Sequence, residues 1–158
     1  RKLSEIVLES YTKLAKNVTF MLQLAYEMDI FMEWTIEYFE QADTAQPAEI
    51  FEDALDAKNM KLAGKLSRVT GELQFYGHHL GGGYIKKCHE YEGIWEIRVI
   101  HGGMLAREFL GFDKNSIILL HGYTKRTGVA ASAHDLKKAH SYLTEYIHTR
   151  RISPVQEK

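Results

Sequence analysis

The amino-acid sequence predicts an α+β fold, in which helices pack on a small antiparallel β-sheet and a helical extension precedes the sheet domain. Two observations predict this class. Apolar residues recur at helical spacing to about residue 30, and the period changes to strict alternation near Met32. After three glycines at 81–83, four strand-like segments follow one another with short turns between them. Consecutive strands joined by such turns must be antiparallel.

The elements before residue 80 are predicted from periodicity and end signals. Residues 33–40 alternate polar and apolar side chains, as in a half-buried strand, with Trp34, Ile36 and Tyr38 on one side. Pro47 suits the first turn of a helix, because proline lacks the N–H that this position does not use. The predicted elements are one or two helices over 3–30 with Ser4 as N-cap, a strand over 33–40, and helices over 47–57 and 60–75.

The second half of the chain holds most of the predicted sheet. The paired glycines at 102–103 suit a tight hairpin, because such turns need positive φ. Ser132 and Asp135 have the spacing of an N-terminal capping box. The predicted elements are strands over 84–89, 93–101, 104–112 and 116–123 and a final helix to residue 149, with Leu136, Ala139, Leu143, Tyr146 and Ile147 facing inward.

Composition indicates one globular domain with an extension. The chain has 158 residues, 45% of them hydrophobic and 26% charged, which suffices for one core. The domains are predicted as a helical acidic extension over 1–31 and a sheet domain over 32–158.

No apolar run reaches the roughly 18–20 residues that span a bilayer, nothing resembles a signal peptide, and Cys88 is a single cysteine. These features favour a cytoplasmic location without a membrane partner.

The net charge of −1 conceals an uneven distribution. Residues 1–57 carry four Lys/Arg and twelve Asp/Glu, whereas residues 58–128 carry eleven and six, and residues 129–158 carry five and three. This asymmetry favours a polyanion-binding surface in the second half. A solvated acidic face without a role explains the first half equally well.

Cationic and proton-transferring residues concentrate in the predicted strands. Side chains alternate across a strand, so Glu96 and Arg98 share one face while Ile97 shares the other with Trp95. The set consists of Lys86, Lys87, Glu96, Arg98, Arg107, His121, Tyr123, Lys125 and Arg126, with the last two in a loop after the strand. A strand with cations on one face and apolar residues on the other suits an anionic substrate.

Three segments of this region resemble the RelE/HigB family of toxin–antitoxin toxins, and most closely its phage-related HigB branch. They read YIKKCHEYEGIWEIR at 84–98, LAREFL at 105–110 and ILLHGYTKRTG at 118–128. The likeness covers about residues 32–149, and Tyr123 stands where this branch commonly has Phe. The resemblance implies a RelE-like fold, ribosome-dependent cleavage of mRNA with rRNA contacts, and a cognate antitoxin as partner.

The chemistry of RNA cleavage assigns expected roles to the set. The RNA 2′-hydroxyl is the nucleophile, so the protein supplies a base, positive charge for the phosphorane and an acid. Arg98 and Arg107 are expected to grip the scissile phosphate, and His121 with Tyr123 to transfer protons or stack on a base. Glu96 would orient an arginine. Lys86, Lys87, Lys125 and Arg126 would bind RNA, although only one of the two adjacent lysines can face the site.

Other functions compatible with this sequence are gyrase inhibition of the ParE type and noncatalytic RNA binding or regulation. The eight histidines and one cysteine match no zinc-ligand spacing, so no metal or cofactor is predicted. For residues 1–31 three roles are compatible with the apolar stripe that includes Met21, Leu22 and Met28: a homodimer through the N-terminal helices, an internal cover of the site, or a segment added by fusion.

Overall fold

The computed structural model describes residue 12 and residues 14–23 and 33–152. The chain divides into two compact units, Arg1–Met32 and Glu33–Lys158. In the first unit, residues 14–23 are helical, and the side chains of Met21 and Leu22 are exposed. Ser4 and Met28 lie outside the described residues. The prediction that residues 1–31 are acidic is wrong, because this segment carries four basic and four acidic side chains. The acidic excess belongs to residues 33–57.

The second unit confirms the α+β class. One strand is followed by two helices, four consecutive strands and a final helix, and a single-turn 3₁₀ helix, Gly77–His79, follows the second of the two helices. The elements in chain order are β1 (Thr35–Tyr38), α1 (Pro47–Lys58), α2 (Met60–Tyr76), β2 (Ile85–Lys87), β3 (Trp95–His101), β4 (Met104–Asp113), β5 (Ser116–Arg126) and α3 (Ala133–Ile152).

The five strands form one sheet in the order β1-β5-β4-β3-β2. Strands β2 to β5 pair antiparallel as predicted. Strand β1 pairs parallel with β5 at the edge of the sheet, since α1 and α2 carry the chain from one edge to the other. Strand β5 extends to Arg126, so the prediction that Lys125 and Arg126 lie in a loop is wrong.

Two apolar cores hold the sheet between its helices. On one face, which we call the hairpin face, α1 and α2 bury Leu62, Leu66 and Val69 against Ile97 and neighbouring residues of the strands. On the other, the groove face, α3 packs over one end of the sheet and leaves the other end uncovered. Its core consists of Phe39, Cys88, Ile94, Phe109, Ile118, Leu120, Ala139, Tyr142 and Leu143.

The buried stripe of α3 differs from the prediction at two positions. Ala139 and Leu143 are buried, and Tyr142, which was not predicted, is buried with them. Ile147 was predicted to face inward and is exposed. The ring of Tyr142 stacks on that of Phe39, the residue after β1, with centroids 4.8 Å apart.

A β-bulge in β5 changes which side chains reach the groove face. Phe109 pairs with His121, but Leu110 pairs with Leu119, so Leu120 is the extra residue. Leu119 lies in the hairpin-face core and Leu120 in the groove-face core. An unbroken alternation would send His121 to the face of Leu119. The bulge instead places it on the groove face beside Phe109.

Close approach between α1 and β5 requires a glycine at position 122. A Cβ added to Gly122 would lie 2.1 Å from the ring of Phe51. We expect Gly122→Ala to lower the free energy of unfolding by about 1–3 kcal/mol, because the partly buried ring of Phe51 would have to shift to make room for the added methyl group. The matched control is Gly64→Ala in α2, where an added Cβ meets nothing within 4 Å. It should raise stability by up to about 1 kcal/mol, as measured by urea denaturation. Equal effects of the two changes would contradict the packing argument.

A buried carboxyl group lies on the hairpin face of β4. Glu108 is 0% exposed, and neither of its oxygens has a hydrogen-bond donor in the described part of the chain. Burial, followed by the negative charge of Glu52, raises the pKa of Glu108 well above its ordinary value. The hydroxyl of Tyr38 donates a hydrogen bond to Oε2 of Glu52 at 2.6 Å.

The raised pKa of Glu108 predicts that the protein loses stability as the pH rises. Because folding raises the pKa of Glu108, its contribution to the free energy of unfolding is fully present below the pKa that this residue has in the unfolded chain. It falls by about 1.4 kcal/mol per pH unit as the pH rises toward the folded pKa. We expect Glu108→Gln to flatten this part of the stability curve, measured by denaturation between about pH 5 and about pH 9. Curves that stay parallel would show that Glu108 is ionised in the folded protein.

Candidate functional site

The uncovered end of the groove face forms an open groove of about 590 Å³. Strands β2, β3 and β4 provide its floor, the loop after β2 one wall, and the start of α3 the other. The residues lining it are Lys86, Lys87, Cys88, His89, Glu90, Tyr91, Glu96, Arg98, Arg107, Phe109, Ala131, Ser132, Ala133 and Leu136. Four of these carry positive charge and two carry negative charge, so the groove favours an anion.

A buried ion cluster forms the floor of the groove. Glu96 is 5% exposed, and its carboxylate lies 3.1 Å from Nη1 of Arg107 and 3.6 Å from Nε of Arg98. The two arginines are register partners on β3 and β4. A buried carboxylate is costly unless it is paired, and two guanidinium groups over-compensate its charge. The cluster therefore keeps one positive charge in excess.

The two arginines differ in exposure. The Arg98 side chain is 36% exposed and that of Arg107 15%. Nε of Arg107 is buried without a hydrogen-bond partner among the described residues. A guanidinium presents its donors in a rigid fork that suits two oxygens of one phosphate. An anion in the groove would meet Arg98 first and the exposed edge of Arg107 beneath it.

The two adjacent lysines line the groove differently. Lys86 is the register partner of Glu96, so its side chain starts on the groove face, whereas Lys87 is the partner of Trp95. Trp95 packs against the hairpin-face core. Both residues contribute to the lining, but the register assigns the groove face to Lys86.

His121 lies beside the groove and is paired with the first turn of α3. Its Nε2 is 2.7 Å from Oδ1 of Asp135, and its Nδ1 is buried without a partner among the described residues. The histidine side chain is only 13% exposed. In this conformation no ring nitrogen of His121 faces the groove. The acid–base role expected of His121 stays a prediction.

Tyr123 contacts the same helix start. Its hydroxyl oxygen accepts a hydrogen bond from the backbone N–H of Ser132 at 3.1 Å. Ser132 caps α3 as predicted, since its hydroxyl accepts from the N–H of Asp135. The capping box is only half formed, because the backbone N–H of Ser132 donates to Tyr123 and not to the Asp135 carboxylate. Together these contacts fasten the wall of the groove to β5.

Lys125 and Arg126 lie outside the groove lining. Lys125 is on the groove face opposite Leu105, and its ammonium donates to the carbonyl of Val129. Arg126 pairs with Met104 and is exposed. The structure thus brings together Lys86, Glu96, Arg98 and Arg107, with His121 and Tyr123 behind the wall.

Sequence reasoning missed Asp135 as a partner of His121, and it missed His89 and Tyr91 as residues of the groove. The residues that make this wall come from β5, α3 and the loop after β2, and no spacing along the chain relates them. Among the described residues, no group of three or more His, Cys, Asp or Glu could hold a metal ion. No helix in the described part of the chain is long and apolar enough to cross a membrane.

The fold and groove define a small α+β domain with a cationic site on one face of its sheet. The family model for the phage-derived protein Gp49-like family (DUF891) matches residues 53–144, and the chain belongs to this family. It is a family of RelE-like, toxin-like proteins associated with toxin–antitoxin systems, which implies an antitoxin partner. The match runs from the middle of α1 to residue 144 of α3 and therefore includes every residue that lines the groove. No curated protein and no solved structure is significantly similar to the chain.

The contact between Asp135 and His121 has a measurable pH signature. Burial alone would raise the pKa of Asp135, but the hydrogen bonds of Ser132 and His121 outweigh it and lower the pKa. A lowered folded pKa stabilises the protein above the unfolded pKa, near 3.9, and this contribution is lost as the pH falls through the folded value. We expect Asp135→Asn to cost about 1 kcal/mol at neutral pH and nothing in strong acid.

The control for this measurement is Glu92→Gln, which removes one exposed carboxylate from the loop before β3. Denaturant unfolding at several pH values compares both variants with the native chain. A cost for Asp135→Asn that persists at the lowest pH would show that the carboxylate charge does not hold α3.

Proposed function

We propose that this chain is a HigB-like toxin of a toxin–antitoxin system and that it cleaves mRNA on the ribosome without a metal ion. The observation that carries the proposal is the pair of arginines on adjacent strands, held by buried Glu96 at the floor of an open groove. A phosphodiester bound there would meet two guanidinium forks. Family membership supports the toxin class.

The reaction that fits the groove is transesterification by the RNA 2′-hydroxyl. The substrate brings its own nucleophile, so the protein need only position the phosphate, stabilise the charge of the phosphorane and transfer protons. Arg98 and Arg107 provide the charge at the floor. Glu96 fixes the direction of both guanidinium groups, which favours preorganisation over direct participation.

The remaining cations would bind the flanking nucleotides. Lys86 shares the groove face with Glu96 and would contact the phosphate next to the scissile one. Lys125 starts on this face outside the groove, whereas the register starts Lys87 and Arg126 on the other face. These three residues would contact rRNA or more distant phosphates. Contacts of this kind supply affinity without sequence information.

We assign His121 and Tyr123 to holding α3 in place. Both residues bind the helix start, through Asp135 and through the N–H of Ser132. Ala131, Ser132 and Leu136 form that wall of the groove. Loss of either contact would let the wall move, so these residues would affect cleavage through the shape of the site.

A cognate antitoxin would be the protein partner, and the cationic groove is the surface whose occlusion would silence cleavage. A homodimer through the N-terminal helices also belongs to this proposal, because Val18, Met21 and Leu22 of the helical segment are exposed.

The test compares the native chain with Arg107→Ala after induction in bacteria, with mapping of mRNA 5′ ends. We expect cuts within translated codons from the native chain and a loss of about 100-fold in the variant, a typical cost of removing a group that stabilises transition-state charge. Arg107→Lys keeps the charge but loses the fork, so it should retain partial activity. Arg98→Ala should also lower cleavage, since this arginine is the more exposed of the two.

The matched control is Arg68→Ala. Arg68 is an exposed arginine on α2 that also pairs with a glutamate, Glu72, at 2.6 Å. Circular dichroism would show that each variant is folded. Growth arrest with intact mRNA would contradict the ribonuclease proposal and favour gyrase inhibition. Cleavage that survives Arg107→Ala would contradict the assignment of the site.

A further inference from the structure

The groove holds an excess of positive charge, but cleavage also requires a group that removes the proton of the 2′-hydroxyl. His121 cannot do so in the described conformation. One of its ring nitrogens binds Asp135 at 2.7 Å, and the other is buried without a partner among the described residues. RNA in the groove would reach neither nitrogen unless α3 moved.

Most of the other groove residues are also poor proton acceptors. Arginine stays protonated in proteins, and a lysine ammonium is only a donor. Glu96 is buried between its two arginines. Burial, followed by the charges of Glu96 and Glu90, raises the pKa of Cys88 to about 11, so this side chain stays a thiol near neutral pH.

Tyr91 and Glu90 also line the groove, but neither is well suited to accept this proton. The ring of Tyr91 stacks on His140 with centroids 4.5 Å apart. Glu90 is exposed at the groove, but a carboxylate is a weak base compared with an imidazole. Proton transfer is most efficient when the acceptor titrates near the working pH.

His89 remains, and its position suits the task. It is exposed and lines the groove, three residues after Lys86. Its loop is held on both sides: the N–H of Cys88 donates to the carbonyl of Ile94 at 2.9 Å, and the N–H of Ile94 donates to the carbonyl of Tyr91 at 3.4 Å. Buried Cys88 anchors the same loop in the groove-face core. The imidazole is therefore presented on a fixed loop.

We propose that His89 is the residue that accepts the proton of the RNA 2′-hydroxyl, an inference that rests on the proposed function. The neutral imidazole takes this proton while the 2′ oxygen bonds to phosphorus. The bond from phosphorus to the 5′ oxygen breaks, and its electron pair leaves with that oxygen, which takes up a proton from water. The products are a 2′,3′-cyclic phosphate and a 5′-hydroxyl, and the proton on His89 returns to solvent.

The experiment measures single-turnover cleavage of mRNA on programmed ribosomes by the purified full chain. We expect His89→Ala to lower the cleavage rate about 100-fold with little change in the concentration of half-saturation, as for loss of a general base. The rate of the native chain should rise with pH across the range in which histidine loses its proton, and this rise should vanish in the variant. Added imidazole should restore part of the rate to His89→Ala.

Two variants serve as controls. His148→Ala removes an exposed histidine near the end of α3, and it should leave the rate and its pH dependence unchanged. Glu90→Gln tests the rival assignment, because a carboxylate that accepted the proton would lose this function when its charge is removed. A loss of less than about tenfold in His89→Ala, a native rate that falls as the pH rises, or a loss confined to Glu90→Gln would overturn the assignment.

The outcomes separate this inference from the proposed function. A native chain that cuts no mRNA on ribosomes, and whose 5′ ends map to no translated codon, contradicts the proposed function itself. Cleavage that disappears in Arg107→Ala but survives in His89→Ala leaves the ribonuclease intact and overturns only the role of His89.

Discussion

Burial of Glu96 between Arg98 and Arg107 is the constraint on which the groove depends. A carboxylate that is 5% exposed must be paired, and its partners are fixed by the register of β3 and β4. Arg107 is the closer and more buried partner, and Arg98 adds a second positive charge beside the open groove. The pairing holds the cationic floor in the frame of the sheet. A site preorganised in this way needs little rearrangement to bind a phosphodiester.

Two buried glutamates, Glu96 of β3 and Glu108 of β4, lie on opposite faces of the sheet. Their carboxyl groups have different partners. On the groove face, Glu96 of β3 contacts Arg107 of β4 and stays charged. On the hairpin face, Glu108 has no hydrogen-bond partner among the described residues, and burial raises its pKa well above the ordinary value. Alternation along β4 thus places Arg107 and Glu108 on opposite faces of the sheet.

The wall of the groove depends on contacts that form only in three dimensions. The bulge at Leu120 turns His121 and Tyr123 to the groove face, where they bind the first turn of α3. The histidine that the sequence suggested as a proton-transfer group thus contacts Asp135 in the first turn of the helix. The loop after β2 brings a different histidine, His89, to the opposite wall.

The sequence by itself determined the class of fold, the order of the elements and the arginine pair. Period and turn chemistry are local properties, and the alternation that places Glu96 and Arg98 on one face needs only an unbroken strand. Tertiary structure decided the parallel pairing of β1, the length of β5 and the positions of the histidines relative to the groove. A bulge shifts the alternation by one residue, and Asp135 meets His121 only because α3 packs back onto the sheet. Such contacts join residues whose separation along the chain carries no periodic signal.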